Sequence, residues 1–169
     1  MDKSERIPEI SDAKNPASPA LQFDCAFPGG NVRIFDFDSR NGIVHLDSDF
    51  RDSIPDQLWT YFRVRGAAGK KLLFKFTGAG PFRRARVSRP GMAYSLDEGK
   101  SWSWTSPETD NKDYYSFSFD FPKDADTVRF ATTIPYLETD LNACLATHPS
   151  LQRTTLTNSP KGRNVPLIT

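Results

Sequence analysis

Histidine and cysteine are scarce in this sequence, and with them most of the chemistry that small clusters of side chains perform. The 169 residues include only two of each. His45 lies in Ile43-Val-His-Leu46 and His148 in Thr147-His-Pro149, and neither begins a His-x-x-Glu or His-x-x-x-His pair. No self-contained zinc site is therefore expected, and both histidines are read as structural or surface residues. Cys25 and Cys144 make no cysteine framework, so two reduced thiols are read here, with a single bridge as the alternative. Ser95, Ser101 and Ser103 have no nucleophile elbow around them, which removes support for serine-based hydrolysis. Charge of one sign is lacking as well. Lys and Arg number 22 against 21 Asp and Glu, leaving +1, and no global field draws in nucleic acid or an acidic membrane. No apolar run reaches the roughly 18 residues of a membrane span, and the opening Met-Asp-Lys-Ser-Glu lacks the basic and apolar regions of a secretory leader. The expectation is a cytoplasmic protein with neither nucleic-acid nor membrane partners.

What the chain has in quantity is short aromatic and β-branched runs. Residues 1–20, with three prolines and many small polar residues, read as a flexible N-terminal segment. Strand candidates then follow at Leu21–Phe27, Val32–Phe37, Ile43–Leu46, Leu58–Val64, Lys71–Phe76, Met92–Ser95, Tyr114–Phe121 and Thr127–Thr132. Strict alternation is clearest where Tyr115, Phe117, Phe119 and Phe121 share one face and Ser116, Ser118 and Asp120 the other, so one face packs and the other meets water. It is also visible in Phe35-Asp-Phe-Asp38. Gly- and Pro-rich turns separate the runs, and Asn41-Gly42 is the best hairpin candidate because both residues accept positive φ. Only Leu137–Ala146 reads as a helix, with Leu137, Leu141, Cys144 and Leu145 on one side. The fold class is all-β: an antiparallel β-sandwich over 21–135, then 136–169 as a short C-terminal helix and a terminal strand leading toward a further domain. Trp59, Tyr61 and Arg63 alternate with Thr60, Phe62 and Val64, and Trp59 and Phe62 are both read as core.

Three groups of residues could carry recognition. Arg83, Arg84, Arg86 and Arg89 could bind an acidic protein or peptide, since guanidinium groups grip carboxylates bidentately. The plainer reading spreads them over a solvated strand and loop. Asp36, Asp38, Asp47 and Asp49 alternate in two segments as a divalent-ion cluster would, but a solvated strand face near turns is the preferred reading. Ser95, Asp97, Gly99 and Trp102 fit Ser-x-Asp-x-Gly-x-x-Trp, which resembles the Asp-box of sialidases and other all-β proteins. The role this implies is structural: Asp97 bonds across a turn, Gly99 allows it, and Trp102 packs beneath. A sugar-stacking platform of Trp102 and Trp104 is the alternative.

Taken in order, several segments resemble the N-terminal domain of zinc metallocarboxypeptidases of the cytosolic carboxypeptidase type. They are Phe27-Pro-Gly-Gly-Asn-Val32, Leu58-Trp-Thr-Tyr-Phe-Arg-Val64, Gly91-Met-Ala-Tyr-Ser95, Phe130-Ala-Thr-Thr-Ile-Pro-Tyr-Leu-Glu-Thr-Asp-Leu141 and Gly162-Arg-Asn-Val-Pro-Leu-Ile-Thr169. The resemblance implies a β-sandwich preceding an α/β peptidase domain of the same polypeptide. Zinc would be bound in that domain and by no residue of this chain, which has no catalytic residue to transfer and is expected to be inactive alone. It further implies an interdomain contact at Tyr136. A free-standing β-sandwich binding module for carbohydrate or protein is the competing expectation.

Overall fold

The structure is a computed structural model that describes residues 20–49, 59–76, 91–106 and 115–169. The chain divides into two compact units, Met1–Pro135 and Tyr136–Thr169. In the first, strands β1 (Gln22–Asp24), β4 (Tyr61–Arg65), β9 (Thr127–Ala131), β6 (Ala93–Ser95) and β7 (Ser103–Trp104) form one sheet in that order. A second sheet has the order β2 (Arg33–Asp38), β3 (Ile43–Asp47), β5 (Lys71–Phe76), β8 (Tyr115–Asp120). The expected β-sandwich is present, with one departure from antiparallel pairing. β3 and β5 run parallel, Ile43 opposite Leu73 and Leu46 opposite Phe76. Between them the chain crosses to the other sheet as β4 and returns, so direction is reversed twice and restored.

Alternation sets the core. β5 buries Leu72, Phe74 and Phe76 and turns Lys71, Leu73 and Lys75 outward, while β8 buries Phe117 and Phe119. From the other sheet come Phe62 and Val64 of β4 and Val128 and Phe130 of β9, all at 0% exposure. Phe130 is the centre of this packing. Its ring lies 5.3 Å from Phe62, 5.3 Å from Phe74, 5.4 Å from Phe117, 4.9 Å from Phe119 and 6.0 Å from Phe121. Two of these contacts, with Phe119 and Phe121, are edge-on, the arrangement that places a positive ring edge against a negative face. Each fully buried phenylalanine contributes roughly 1.5–3 kcal/mol from loss of water contact.

Three expectations need correction. Phe35 is 48% exposed, because a β-bulge shifts the register of β2 against β3 between Ile34 and Asp36 and breaks the Phe-Asp-Phe-Asp alternation. Arg33 instead lies over its ring at 5.0 Å. The hairpin expected at Asn41-Gly42 is present as the antiparallel β2–β3 pair, but its turn spans residues 39–42 and only Gly42 needs positive φ. Gly42 has φ 65° but Asn41 does not adopt positive φ. The turn is held by Asp38, whose Oδ1 accepts from the Arg40 and Asn41 backbone N–H groups at 3.0 and 3.1 Å. Trp59, read as core, is only half-buried and lies on the other side of the strand from Phe62.

The second unit contains helix α1 (Glu138–Thr147) and a hairpin of β10 (Arg153–Asn158) and β11 (Asn164–Ile168). The helix sits one residue further along than expected. Leu137, Leu141 and Leu145 recur every fourth residue and are only half-covered, and no helix residue is buried. Asp140 accepts from the Leu137 N–H at 2.6 Å, satisfying one of the first-turn donors that a helix leaves open. Strand β10 went unrecognised in the sequence, since Arg153-Thr-Thr-Leu-Thr-Asn158 carries a single large apolar residue.

Phe130→Ala should lower unfolding free energy by about 3–5 kcal/mol, against under about 1 kcal/mol for Phe35→Ala. Denaturant titration of the two variants checks this, and equal losses would remove Phe130 from the centre of the core.

Candidate functional site

The outward face of the five-stranded sheet holds a cluster of polar and aromatic side chains. Cross-strand register lines up Asp24, Arg63, Arg129 and Ser95 from four adjacent strands in one row. Arg63 and Arg129 are directly opposite, a like-charge pairing that is unfavourable unless neutralised. Asp24 grips Arg63 bidentately, accepting from Nε at 3.0 Å and Nη2 at 2.9 Å, and reaches Arg65 at 3.4 Å. Arg129 donates to the Tyr61 hydroxyl at 3.1 Å and meets Glu98 at 3.4 Å. The Phe27 ring then serves both guanidinium groups, with Arg63 at 5.2 Å and Arg129 at 4.9 Å from its centre. Arg129 Nε is buried with no hydrogen-bond partner among the described residues.

Beneath this row Tyr61 is 1% exposed although it faces away from the sandwich core. Phe27, Trp59 and Trp102 surround it with edge-on rings at 4.8, 5.9 and 5.9 Å. Trp59 is held there by its indole N–H, which donates to the Gly29 carbonyl at 2.7 Å. That bond explains why this tryptophan is half-buried on the outer face: a buried indole N–H needs an acceptor, and the apolar core offers none. The Gly29–Asn31 segment is further tied to β4 where Asn31 and Tyr61 exchange backbone bonds at 2.8 and 2.9 Å.

The hairpin β6–β7 closes over the same cluster. Ser95 Oγ donates to Asp97 Oδ1 at 2.7 Å and accepts from the Gly99 N–H at 2.7 Å. Asp97 in turn accepts from the Ser101 N–H at 2.9 Å and the Ser101 hydroxyl at 2.6 Å, and Trp102 Nε1 donates to the Gly99 carbonyl at 3.0 Å. These donors, led by the Ser101 hydroxyl, hold the Asp97 carboxyl far below its ordinary value of 3.8. Gly99 needs its φ of 96°, and a Cβ there would sit 3.4 Å from the Tyr61 hydroxyl. Glu98 also adopts positive φ, 63°, in the turn that brings its carboxylate to Arg129.

The remaining sequence candidates are dispersed. Arg83, Arg84, Arg86 and Arg89 lie outside the described residues. Tyr136 is 67% exposed; loss of solvent, then the nearby Cys144 sulfur and Asp140, pushes its phenol above its ordinary value of 10.0. Trp104 is 40% exposed while Trp102 is engaged with Gly99 and Tyr61, so the two rings play different parts. Asp38 and Asp47 bond to their own turns, and no grouping of three or more His, Cys, Asp or Glu able to hold a metal occurs among the described residues. Both cysteines are free. Cys144 and His148, read separately in the sequence, are one helical turn apart with Sγ 3.9 Å from Nδ1, while Nδ1 lies 2.9 Å from the Cys144 carbonyl. The i, i+4 spacing was the available signal. Phe27, Arg63 and Arg129 had none, because their meeting depends on strand register.

Tyr61→Phe removes the acceptor that Arg129 uses and should cost about 1–2 kcal/mol while leaving the core rings in place; thermal unfolding measures it. For the hairpin, a depressed folded-state pKa means that the stabilisation from Asp97 is complete above about pH 4 and is lost as pH falls toward the folded value. Protection of the amides across Leu96–Trp102, taken relative to their intrinsic exchange rate at each pH, should therefore fall below about pH 4 in the parent chain. Asp97→Asn should show low protection at every pH, and a parent hairpin whose protection has no acid dependence would contradict the bonding described.

No curated protein matches the sequence significantly. Among solved structures, a metallo-carboxypeptidase from Burkholderia cenocepacia superposes with a TM-score of 0.71 at 20% identity, over 88% of this chain and 39% of its own. A Burkholderia mallei chain assigned as a carboxypeptidase gives 0.72 at 20% identity, over 92% of this chain and 40% of its own. A Pseudomonas aeruginosa metallo-carboxypeptidase, solved with (2-guanidinoethylmercapto)succinic acid, gives 0.71 at 22% identity, over 87% and 39%. At these identities the likeness is one of fold, and the chain spans about 39–40% of the length of these structures. The sequence family described as the cytosolic carboxypeptidase N-terminal domain matches residues 23–132, well over half of the chain, and the chain belongs to that family.

Proposed function

We propose that this chain is the noncatalytic N-terminal part of a cytoplasmic zinc metallocarboxypeptidase, supporting the peptidase domain of the same polypeptide and shaping recognition of polypeptide C-terminal tails. One observation carries the reading: nearly the whole chain, 87–92% of it, superposes on only 39–40% of metallo-carboxypeptidase-type chains. The donor set here does not fit a resident metal, because the described residues offer no cluster of three ligands. Zinc would be held by the remainder of such a protein, where it supplies Lewis-acid activation of water and of the scissile carbonyl.

The contribution of this chain is then mechanical and electrostatic. A sandwich closed by aromatic packing gives a stiff support, and sites placed on rigid elements keep their geometry better than sites on loops. Arg83, Arg84, Arg86 and Arg89 form the proposed attraction surface for an acidic tail, through charge-assisted contacts with its carboxylates.

Zinc content and carboxypeptidase activity, measured in parallel on this chain and on the product of its complete native reading frame with peptides ending in acidic or neutral residues, test the proposal. Activity with zinc only in a longer protein is the expected result. A natural frame ending at Thr169 with neither would overturn it in favour of a free-standing binding module. Replacing Arg83, Arg84 and Arg86 together by alanine should raise KM for acid-ending peptides in the longer protein with kcat and thermal stability retained; an unchanged KM would remove the arginines from recognition.

A further inference from the structure

Asn41-Gly42 is the one Asn-Gly pair in the sequence, and the structure shows why glycine is required there. Gly42 has φ 65°, a Cβ on it would meet the Lys71 carbonyl oxygen at 2.9 Å, and its own carbonyl accepts from the Leu73 N–H at 2.8 Å. The turn of residues 39–42 therefore lies against β5, just before the parallel pairing of Ile43 with Leu73 begins. The residue in front of that glycine is an exposed asparagine. Glycine, having no Cβ, shields its backbone nitrogen least from the side chain that precedes it.

Asn41 is also half of a clamp. Its Nδ2 donates to Asp38 Oδ2 at 2.6 Å, while Asp38 Oδ1 accepts from the Arg40 and Asn41 N–H groups at 3.0 and 3.1 Å. The Asn41 side chain is first among the donors that hold the Asp38 carboxyl below its ordinary value of 3.8. A side-chain amide fixed in this way cannot swing its carbonyl carbon onto the Gly42 nitrogen, so a reaction between them waits until the bond to Asp38 opens. That opening is local, because the bond lies at the exposed surface and no core contact has to break.

We propose that Asn41 is a site of spontaneous deamidation and that the bond from its side chain to Asp38 sets the pace. Once the clamp is open, the Gly42 backbone nitrogen gives its proton to hydroxide and forms a bond to Asn41 Cγ. The Cγ–Nδ2 bond breaks, and Nδ2 leaves as ammonia after taking a proton from water. The cyclic imide that results is opened by water at either of its carbonyls. Addition at Cγ restores the ordinary main chain and leaves an aspartate; addition at the main-chain carbonyl leaves an isoaspartate, whose chain runs through Cγ and gains a methylene. Water enters, ammonia leaves and nothing is oxidised. Either product replaces the Nδ2 donor by a carboxylate that only accepts, so like charges meet where the 2.6 Å bond stood. The isoaspartate also lengthens the turn between Asp38 and Ile43, which register places opposite each other, at the point where β3 begins to pair with β5.

Incubation of the 169-residue chain at neutral and mildly alkaline pH, followed by peptide mapping in a mass spectrometer, tests the proposal. Asn41 should convert to a mixture of aspartate and isoaspartate, faster as pH rises and ahead of Asn31, Asn142, Asn158 and Asn164. Ion exchange should separate a form whose formal charge has fallen from +1 to 0, and its isoaspartate fraction should show lower amide protection over Ile43–Leu46 than the parent. Asp38→Asn keeps an oxygen for the Arg40 and Asn41 N–H groups but gives up the one that takes Asn41 Nδ2, and it should convert several-fold faster at Asn41. Asn31, held by its own bonds to Trp59 and Asp49, should keep the parent's rate in that variant, which tells an opened turn from a lost fold. Parent chain unfolded in urea should convert at Asn41 at least as fast, whatever the fold of the variant. An Asn41 that stays intact while other asparagines convert would overturn the proposal. Equal rates in the folded parent, the unfolded parent and Asp38→Asn would overturn the pacing role of Asp38.

Discussion

The contact of Phe130 with five other phenylalanine rings is the constraint on which the sandwich depends. It draws on both sheets, and on Phe121 just beyond β8, so the spacing of the sheets and the register of β8 against β5 are read out at a single side chain. Ring packing of this kind resists substitution because interiors are as dense as organic crystals and a lost ring leaves a void that its neighbours only partly fill. The aromatic content of the chain, 12% of residues, is concentrated where it fixes geometry.

The outer face of the same sheet follows a different rule. There the packing is between rings and guanidinium groups, and its stability depends on neutralising two arginines that register forces together. Asp24 handles one and the Tyr61 hydroxyl, Glu98 and Phe27 share the other. This arrangement fastens the Cys25–Asn31 connection and the β6–β7 turn to one sheet face without extending the apolar core. The two segments that look most loop-like in the sequence, Pro28-Gly-Gly-Asn31 and Asp97-Glu-Gly99, are thereby among the better anchored ones.

Legibility in the sequence tracked how local each interaction is. The alternation of Tyr115–Phe121 and the Ser-x-Asp-x-Gly-x-x-Trp turn depend on residues a few positions apart, and both could be read directly. The family resemblance rested on short segments in order; Phe27–Val32, Leu58–Val64 and Gly91–Ser95 lie in the matched region 23–132, Phe130–Leu141 overlaps only its end, and Gly162–Thr169 lies beyond it. Trp59 was misplaced because alternation says which residues share a face and not which face is inside; the Gly29 carbonyl, thirty positions away, decided it. Phe35 was misplaced by a bulge, which alternation cannot anticipate. The outer cluster was invisible for the strongest reason of all, since it unites residues from five separate segments.

The parallel pairing of β3 with β5 also makes the sandwich depend on distant contacts. The chain between those strands crosses to the other sheet as β4, which pairs with β9, and beside that pair the Thr60 N–H donates to Thr132 Oγ1 across 72 positions of sequence. Contacts so distant demand closure of long loops before they return any stabilisation, and chains of this topology fold slowly. The four-stranded sheet has all its strands by Asp120, whereas in the other sheet the β1–β4 and β6–β7 pairs are joined only through β9, so that sheet stays in two pieces until Thr127–Ala131 is in place.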